Sequence, residues 1–328
     1  QRQMCIRDRL KRLYYHKLNI QFYPEDDIYM PFWGGAVWRN RFLYFAEMVF
    51  DEDGVSLLEH IDSLTIGDSH PFYDQFKGGF PKGFLFDCSE FSCPGGHLSL
   101  YRRQVYGFSL ILIGKCSVWL PLFVKALRLM FMDGVGEPKA RLNLIDIEED
   151  GSDVLCGRSW DYGAPKSPIH FTNVMSASQK TLSLHLITPV RLTNCLGKGC
   201  SNDGHQGRLN NFPSLYQMMR SVAFRLLTLC MLYTEESVFM DWKELDDCVE
   251  EFVKDTKKAF LLSANISWET VRSTPKKGSD KVYVMNGYCG KLVFGNVESR
   301  YYPVLEFASC LGVGNDISYG LGMYEIGI

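Results

Sequence analysis

Unperturbed histidine titrates near neutrality, so the seven histidines of this 328-residue chain, at 16, 60, 70, 97, 170, 185 and 205, are of the residue type that serves as general acid or base. His185 falls on the polar side of an alternating run, beside Ser183. His16 shares an alternation face with Leu18 and Ile20, and His205 sits in the polar loop GKGCSNDGHQGR. These three are the candidate acid/base residues. Two cysteine pairs have matched spacing, Cys88-x4-Cys93 with His97 and Cys195-x4-Cys200 with His205. If their loops met, the four thiols would make a zinc site, although structural zinc favours slightly shorter spacing. Free thiols are the simpler reading of eleven scattered cysteines, and neither a metal nor a cofactor is expected. The chain carries no Walker phosphate loop, no nucleophile elbow and no HExxH pair.

A second kind of chemistry is anion binding. Arg39 and Arg41 follow Trp33-Gly34-Gly35, and Lys276, Lys277 and Lys281 precede the run MNGYCGKLVF. Such clusters suit phosphate contacts. Glycines at 287 and 290, and at 312, 314, 320 and 322 in GVGNDISYGLGMYEI, allow close backbone approach, and successive N–H groups in such turns cradle phosphate. Gly314, Asn315, Ser318, Tyr319 and Gly320 are therefore candidate contacts, with Ser318, Gly320 and Gly322 lining one strand face. Tyr288 and Tyr319 have the type that stacks on unpaired bases. A dinucleotide fingerprint is excluded by context, because these glycines precede a strand and no helix follows.

The elements that must position these residues read as a duplication. KTLSLHLITPVRL alternates as a strand that Pro189 ends. Apolar residues at 215, 218, 219, 222, 226, 229 and 233 make one helical face. DWKELDDCVEEFVKDTKKA is a more polar helix. AFLLSANISWETV and NGYCGKLVFGN are strands, YYPVLEFASCL is a short helix, and GVGNDISYGLGMYEI is a turn and closing strand. The order is β-α-(α)-β-β-α-β, which is ferredoxin-like. In the first half LYYHKLNIQF, VYGFSLILIGK and ARLNLIDIEE are strands, and GAVWRNRFLYFAEMVF and VWLPLFVKALRLMFM are helices. Residues 51–102 show no clear period. The fold class is thus α+β, two tandem ferredoxin-like (RRM-like, βαββαβ) domains. Residues 10–150 form the first, 151–178 a linker rich in Gly, Ser, Asp and Pro, and 179–328 the second.

The apolar stretch Val105 to Met132 is long enough to suggest a membrane span, but Lys115, Lys125, Arg128 and Gly114 interrupt it; a buried strand and helix are expected, in a cytoplasmic protein with reduced thiols. The net charge of −3 means that a nucleic-acid surface must concentrate its cations locally. The opening QRQMCIRDR lacks a start methionine, has little pattern and resembles sequencing-adapter read-through; no fold element is expected from it, and the chain is open to being truncated or part of a fusion.

Five motifs in order resemble one family. GVGNDISYGLGMYEI, PFWGGAVWRNRF, DGVGEPKARLNLIDI, ITPVRL and MNGYCGKLVF are similar to the glycine turns and threonine-proline motif of the CRISPR precursor-RNA processing endoribonucleases of the RAMP superfamily, the sixth numbered Cas family. The likeness runs from about Leu10 to Ile328. It implies repeat-RNA binding and metal-independent cleavage, in which a ribose 2′-hydroxyl attacks the adjacent phosphate and leaves a cyclic phosphate. The partners implied are repeat or guide RNA and other CRISPR-associated proteins of an effector or adaptation complex. Relatives commonly place histidine and lysine where this chain has Gly312 and Asn315, and the first helix reads Trp38-Arg39-Asn40, so the catalytic group is unassigned. Three readings stay open. The preferred one is the processing endoribonuclease. The others are a non-catalytic RAMP subunit and a ferredoxin-like protein-interaction module without RNA.

Overall fold

The computed structural model describes residues 6–30, 33–64, 81–91, 97–149, 152–153, 168–171, 181–192, 212–235, 240–273 and 282–327. The first unit runs β1 (Tyr14–Pro24), α1 (Gly34–Ala46), β2 (Phe84–Asp87), β3 (Tyr106–Ile113), α2 (Leu120–Asp133) and β4 (Leu142–Glu149). Its antiparallel sheet has the order β2-β3-β1-β4. The second runs β5 (Leu182–Val190), α3 (Leu215–Tyr233), α4 (Trp242–Val253), β6 (Phe260–Arg272), β7 (Val284–Gly295), α5 (Tyr302–Ser309) and β8 (Tyr324–Gly327). Its order is β6-β7-β5-β8, so both units are βαββαβ with the same strand permutation, the ferredoxin-like arrangement expected.

Alternation decides each face. In β1, Leu18, Ile20 and Phe22 are fully buried, and Phe22 lies 5.4 Å from both Trp38 of α1 and Phe131 of α2. In β5, Leu182, Leu184 and Leu186 pack with Met218, Met219 and Val222 of α3 and Leu305 of α5. The opposite face of the first sheet is not left to solvent. Tyr15, Leu85, Ile111 and Ile113 join the core of the second unit, with Tyr15 and Phe307 of α5 5.4 Å apart. The α3 and α5 helices therefore lie between two sheets. Tyr233 closes this junction by donating its hydroxyl to the Pro81 carbonyl at 2.7 Å. The apolar run from Val105 resolves into β3 and α2, with Pro121 in the first turn of the helix, where proline is tolerated. Among the described residues no helix is long and apolar enough to cross a membrane.

Four details differ from the sequence reading. The unparsed 51–102 segment supplies the missing second strand, β2, together with a helix at Leu57–Ser63 and a strand at Leu98–Leu100. Three of the four residues of β2 are buried, so it has no alternation to detect. The strand containing Pro189 continues to Val190, paired with Tyr288 across a bulge, while the Pro189 carbonyl accepts from Gly322 N. Of GVGNDISYGLGMYEI only the last three residues are strand, as the start of β8. Finally, Ile6–Leu10 is helical, with Ile6 and Leu10 buried in the second unit's core, although nothing was expected of it. One apolar pair spaced i, i+4 is enough to dock a single turn and too little to reveal it beforehand.

Candidate nucleic-acid interface

The glycine stretch is a knotted loop rather than a flat strip. Gly312, Gly314, Asp316, Gly320 and Gly322 all have positive φ, and Ile317–Tyr319 makes one tight turn between two left-handed residues. Reversals at this density prevent extension, so Ser318, Gly320 and Gly322 do not share a strand face. The loop is tied to the end of β5. Asn315 N donates to Arg191 O at 3.1 Å, Gly322 N to Pro189 O at 3.1 Å, and Met323 N to the Thr188 hydroxyl at 2.9 Å. The last bond explains the threonine-proline pair: Thr188 is fully buried, and its hydroxyl pairs an N–H that would otherwise be orphaned. Arg225 of α3 donates to Leu311 O at 2.9 Å and steadies the start of the loop; burial pulls its guanidinium down to about 10.

The loop also meets the first unit. Trp33 donates its indole N–H to Tyr319 O at 2.6 Å, and its backbone N–H to Arg272 O at 2.8 Å. The α1 helix thus begins against both the loop and β6. A Cβ on Gly35 would overlap the Tyr319 carbonyl oxygen, and one on Gly320 would lie 2.8 Å from Phe86 O in β2. These two glycines make a seam between the units. The Arg39 guanidinium stacks over the Tyr319 ring, 4.5 Å from its centroid, and the Tyr283 ring lies 6.5 Å further along. The Tyr283 hydroxyl donates to Asp316 Oδ1 at 3.4 Å.

Two buried guanidinium nitrogens beside this loop have no hydrogen-bond partner among the described residues, Arg39 Nε and Arg191 Nε. Burial holds Arg39 below the usual guanidinium range. Burial also raises the Asp316 carboxyl above its ordinary value, against the opposing pull of Arg191 and Tyr283. Native proteins leave few buried polar groups unpaired, and a bound ion or water is one way in which such a set is completed.

The seam gathers Arg39, Gly314, Asn315, Ser318, Tyr319 and Gly320 of the expected contacts. Arg41 is turned away, paired with Asp133 of α2. Gly287 lies so close to the Val190 backbone, and Gly290 to Asn265 O, that strand packing accounts for both. Tyr288 is a core residue set against Trp268. Lys276, Lys277 and Lys281, like His205, Cys93, Cys195 and Cys200, lie outside the described residues. Cys88 is fully buried, which pushes its thiol well up, and among the described residues no group of three or more His, Cys, Asp or Glu is placed to hold a metal ion. His16 is buried and paired with Glu149. His185 is exposed on the open face of the second sheet, in register with Lys291 and Glu325. Sequence reasoning passed over Trp33, Arg191, Tyr283 and Asp316. Arg191 and Asp316 lie inside two of the quoted motifs, so their charge was a usable signal.

Two ferredoxin-like units thus meet at a glycine loop. Residues 184–324 match the model of the family CRISPR-associated endoribonuclease Cas6, as the ordered motifs implied. The product complex of a Thermus thermophilus Cas6 has a similar fold, with a TM-score of 0.52 at 14% identity over 96% of this chain and 99% of that one. A partial Cas6-RT-Cas1–Cas2 complex gives a TM-score of 0.54 at 12% identity over 96% of this chain and 46% of its own. At this identity both likenesses establish the fold. No curated protein sequence matches the chain.

Proposed function

We propose that this protein binds CRISPR repeat RNA at the seam and cuts precursor transcripts into guide RNAs by metal-independent attack of a 2′-hydroxyl. The observation carrying this reading is the pair of unpartnered guanidinium nitrogens of Arg39 and Arg191 beside the glycine loop of a Cas6-matching unit. Guanidinium groups suit a phosphate and its developing charge, and the stacked Tyr319 offers a face to an unpaired base. A solved neighbour is a Cas6 product complex and another joins Cas6 to RT, Cas1 and Cas2, which supports RNA and other CRISPR-associated proteins as partners. A second reading, a RAMP subunit that holds RNA without cutting it, is favoured by Gly312 and Asn315 and by a first helix without histidine.

Labelled repeat RNA incubated with the protein and EDTA separates these readings. Specific cuts on a denaturing gel support the nuclease. A gel shift without cuts supports the subunit, and neither result leaves the protein-interaction module. Lys276→Ala with Lys277→Ala is expected to weaken RNA binding and to flatten its dependence on salt, because each lost phosphate contact removes a released counterion. An unchanged affinity and slope would remove these lysines from the interface.

A further inference from the structure

We propose that Asp316 is the general base of this site, taking the proton from the attacking 2′-hydroxyl. The inference rests on the cleavage reading above and supplies the group that it lacks. Among the described histidines, His16 pairs with Glu149 and His60 with Asp51 at 2.6 Å, His97 lies beside Tyr29 and His170 beside Tyr14, and His185 is exposed on the open face of the second sheet, so none is placed in the 312–323 loop. Asp316 is the carboxylate of the loop 312–323. Its left-handed backbone, φ 59°, opens the turn that carries Tyr319, whose N–H donates to Asp316 O at 2.9 Å.

The groups facing its carboxyl come from two elements. Arg191 follows β5, and Tyr283 leads into β7 and donates its hydroxyl; Tyr319 of the same turn carries Arg39 over its ring. The carboxylate thereby lies beside the Arg191 guanidinium, with Arg39 stacked on Tyr319 of the same turn, and each arginine has an unpaired buried Nε. A phosphate held by those groups brings its 2′-hydroxyl to the carboxylate. The proton moves from the 2′-oxygen to Asp316. The 2′-oxygen–phosphorus bond forms as the bond to the 5′-oxygen breaks, and the leaving 5′-oxygen takes a proton from water. The products are a cyclic phosphate and a 5′-hydroxyl, and the acid returns its proton to the hydroxide so formed. Burial raises the carboxyl toward the working range of a base, as catalysis requires.

Asp316→Asn is the decisive variant. Asparagine also accepts left-handed backbone, so the loop keeps its shape. Loss of cleavage by about 100-fold or more is expected, with RNA affinity nearly unchanged. The wild-type rate should fall as pH drops through the raised carboxyl pKa. Tyr283→Phe removes a bond that stabilises the charged form, so it should move this acid limb to higher pH. Equal cleavage by wild type and Asp316→Asn overturns the inference and leaves the nuclease reading standing. Loss of RNA binding in Asp316→Asn along with cleavage overturns it too, since it marks a loop-shaping residue. A wild type that never cuts repeat RNA ends the nuclease reading and, with it, the base.

Discussion

Gly314→Ala is expected to destabilise the protein by about 2–6 kcal/mol and to abolish function at the seam, whereas Gly54→Ala, at nearly the same φ, should cost only about 1–3 kcal/mol. Both glycines are left-handed, at φ 87° and 80°. Each alanine therefore meets the strain of positive φ, about 1–3 kcal/mol. At Gly54 the added methyl meets nothing within 4 Å. At Gly314 it overlaps the Arg191 carbonyl oxygen, the acceptor of the Asn315 N–H. That oxygen belongs to the backbone and cannot swing aside, so overpacking adds about 1–3 kcal/mol. The loop can relieve the overlap only by leaving Arg191, and that separates Asp316 from its neighbours. Urea midpoints of the two variants, measured side by side, isolate the close approach from the strain. Equal losses would show that Gly314 is needed for its φ alone.

The same comparison shows what periodicity reads and what it misses. Alternation at Leu182, Leu184 and Leu186, and the helical spacing from Leu215, were enough to place the second unit, because each element buries one face. The duplication carried over to the first unit wherever strands were long. It failed at β2, whose FLFD is buried almost throughout and gives no period. Glycine spacing marked the loop but suggested a strand. Whether a glycine is extended or left-handed depends on the contacts of its neighbours, which composition does not record.

The site itself was half legible for a similar reason. Arg39 and Tyr319 were candidates separately, yet their stacking joins residues 280 positions apart in the chain. Arg41 has the same charge as Arg39 two residues away, and a helix turns those two positions to different faces. Arg39 therefore meets the loop and Arg41 meets Asp133. Arg191 and Asp316 were hidden for another reason. A motif chosen for its glycines and its proline draws attention to backbone shape, and the charged residues within it read as solvent-facing until the loop folds over them.

The largest effect outside the loop is expected at His16, and it should be structural. His16 projects from β1 toward Glu149 at the end of β4, and both side chains are buried, at 5% and 7% exposure. Replacing His16 with alanine leaves a buried carboxyl without this partner. Breaking a buried pair from one side costs about 3–5 kcal/mol. His16→Leu with Glu149→Leu removes both polar groups and fills the space, and such double replacements are often neutral or stabilising. The expected series is therefore a large loss for His16→Ala and a much smaller one for the double variant, read as thermal midpoints at one pH. RNA cleavage per folded molecule should survive in the double variant, because the pair belongs to the first sheet while the seam is built from α1 and the 312–323 loop. If the double variant is stable and folded yet no longer cuts, His16 is the acid/base residue that its chemistry allows, and the assignment of that role to Asp316 falls with the same measurement.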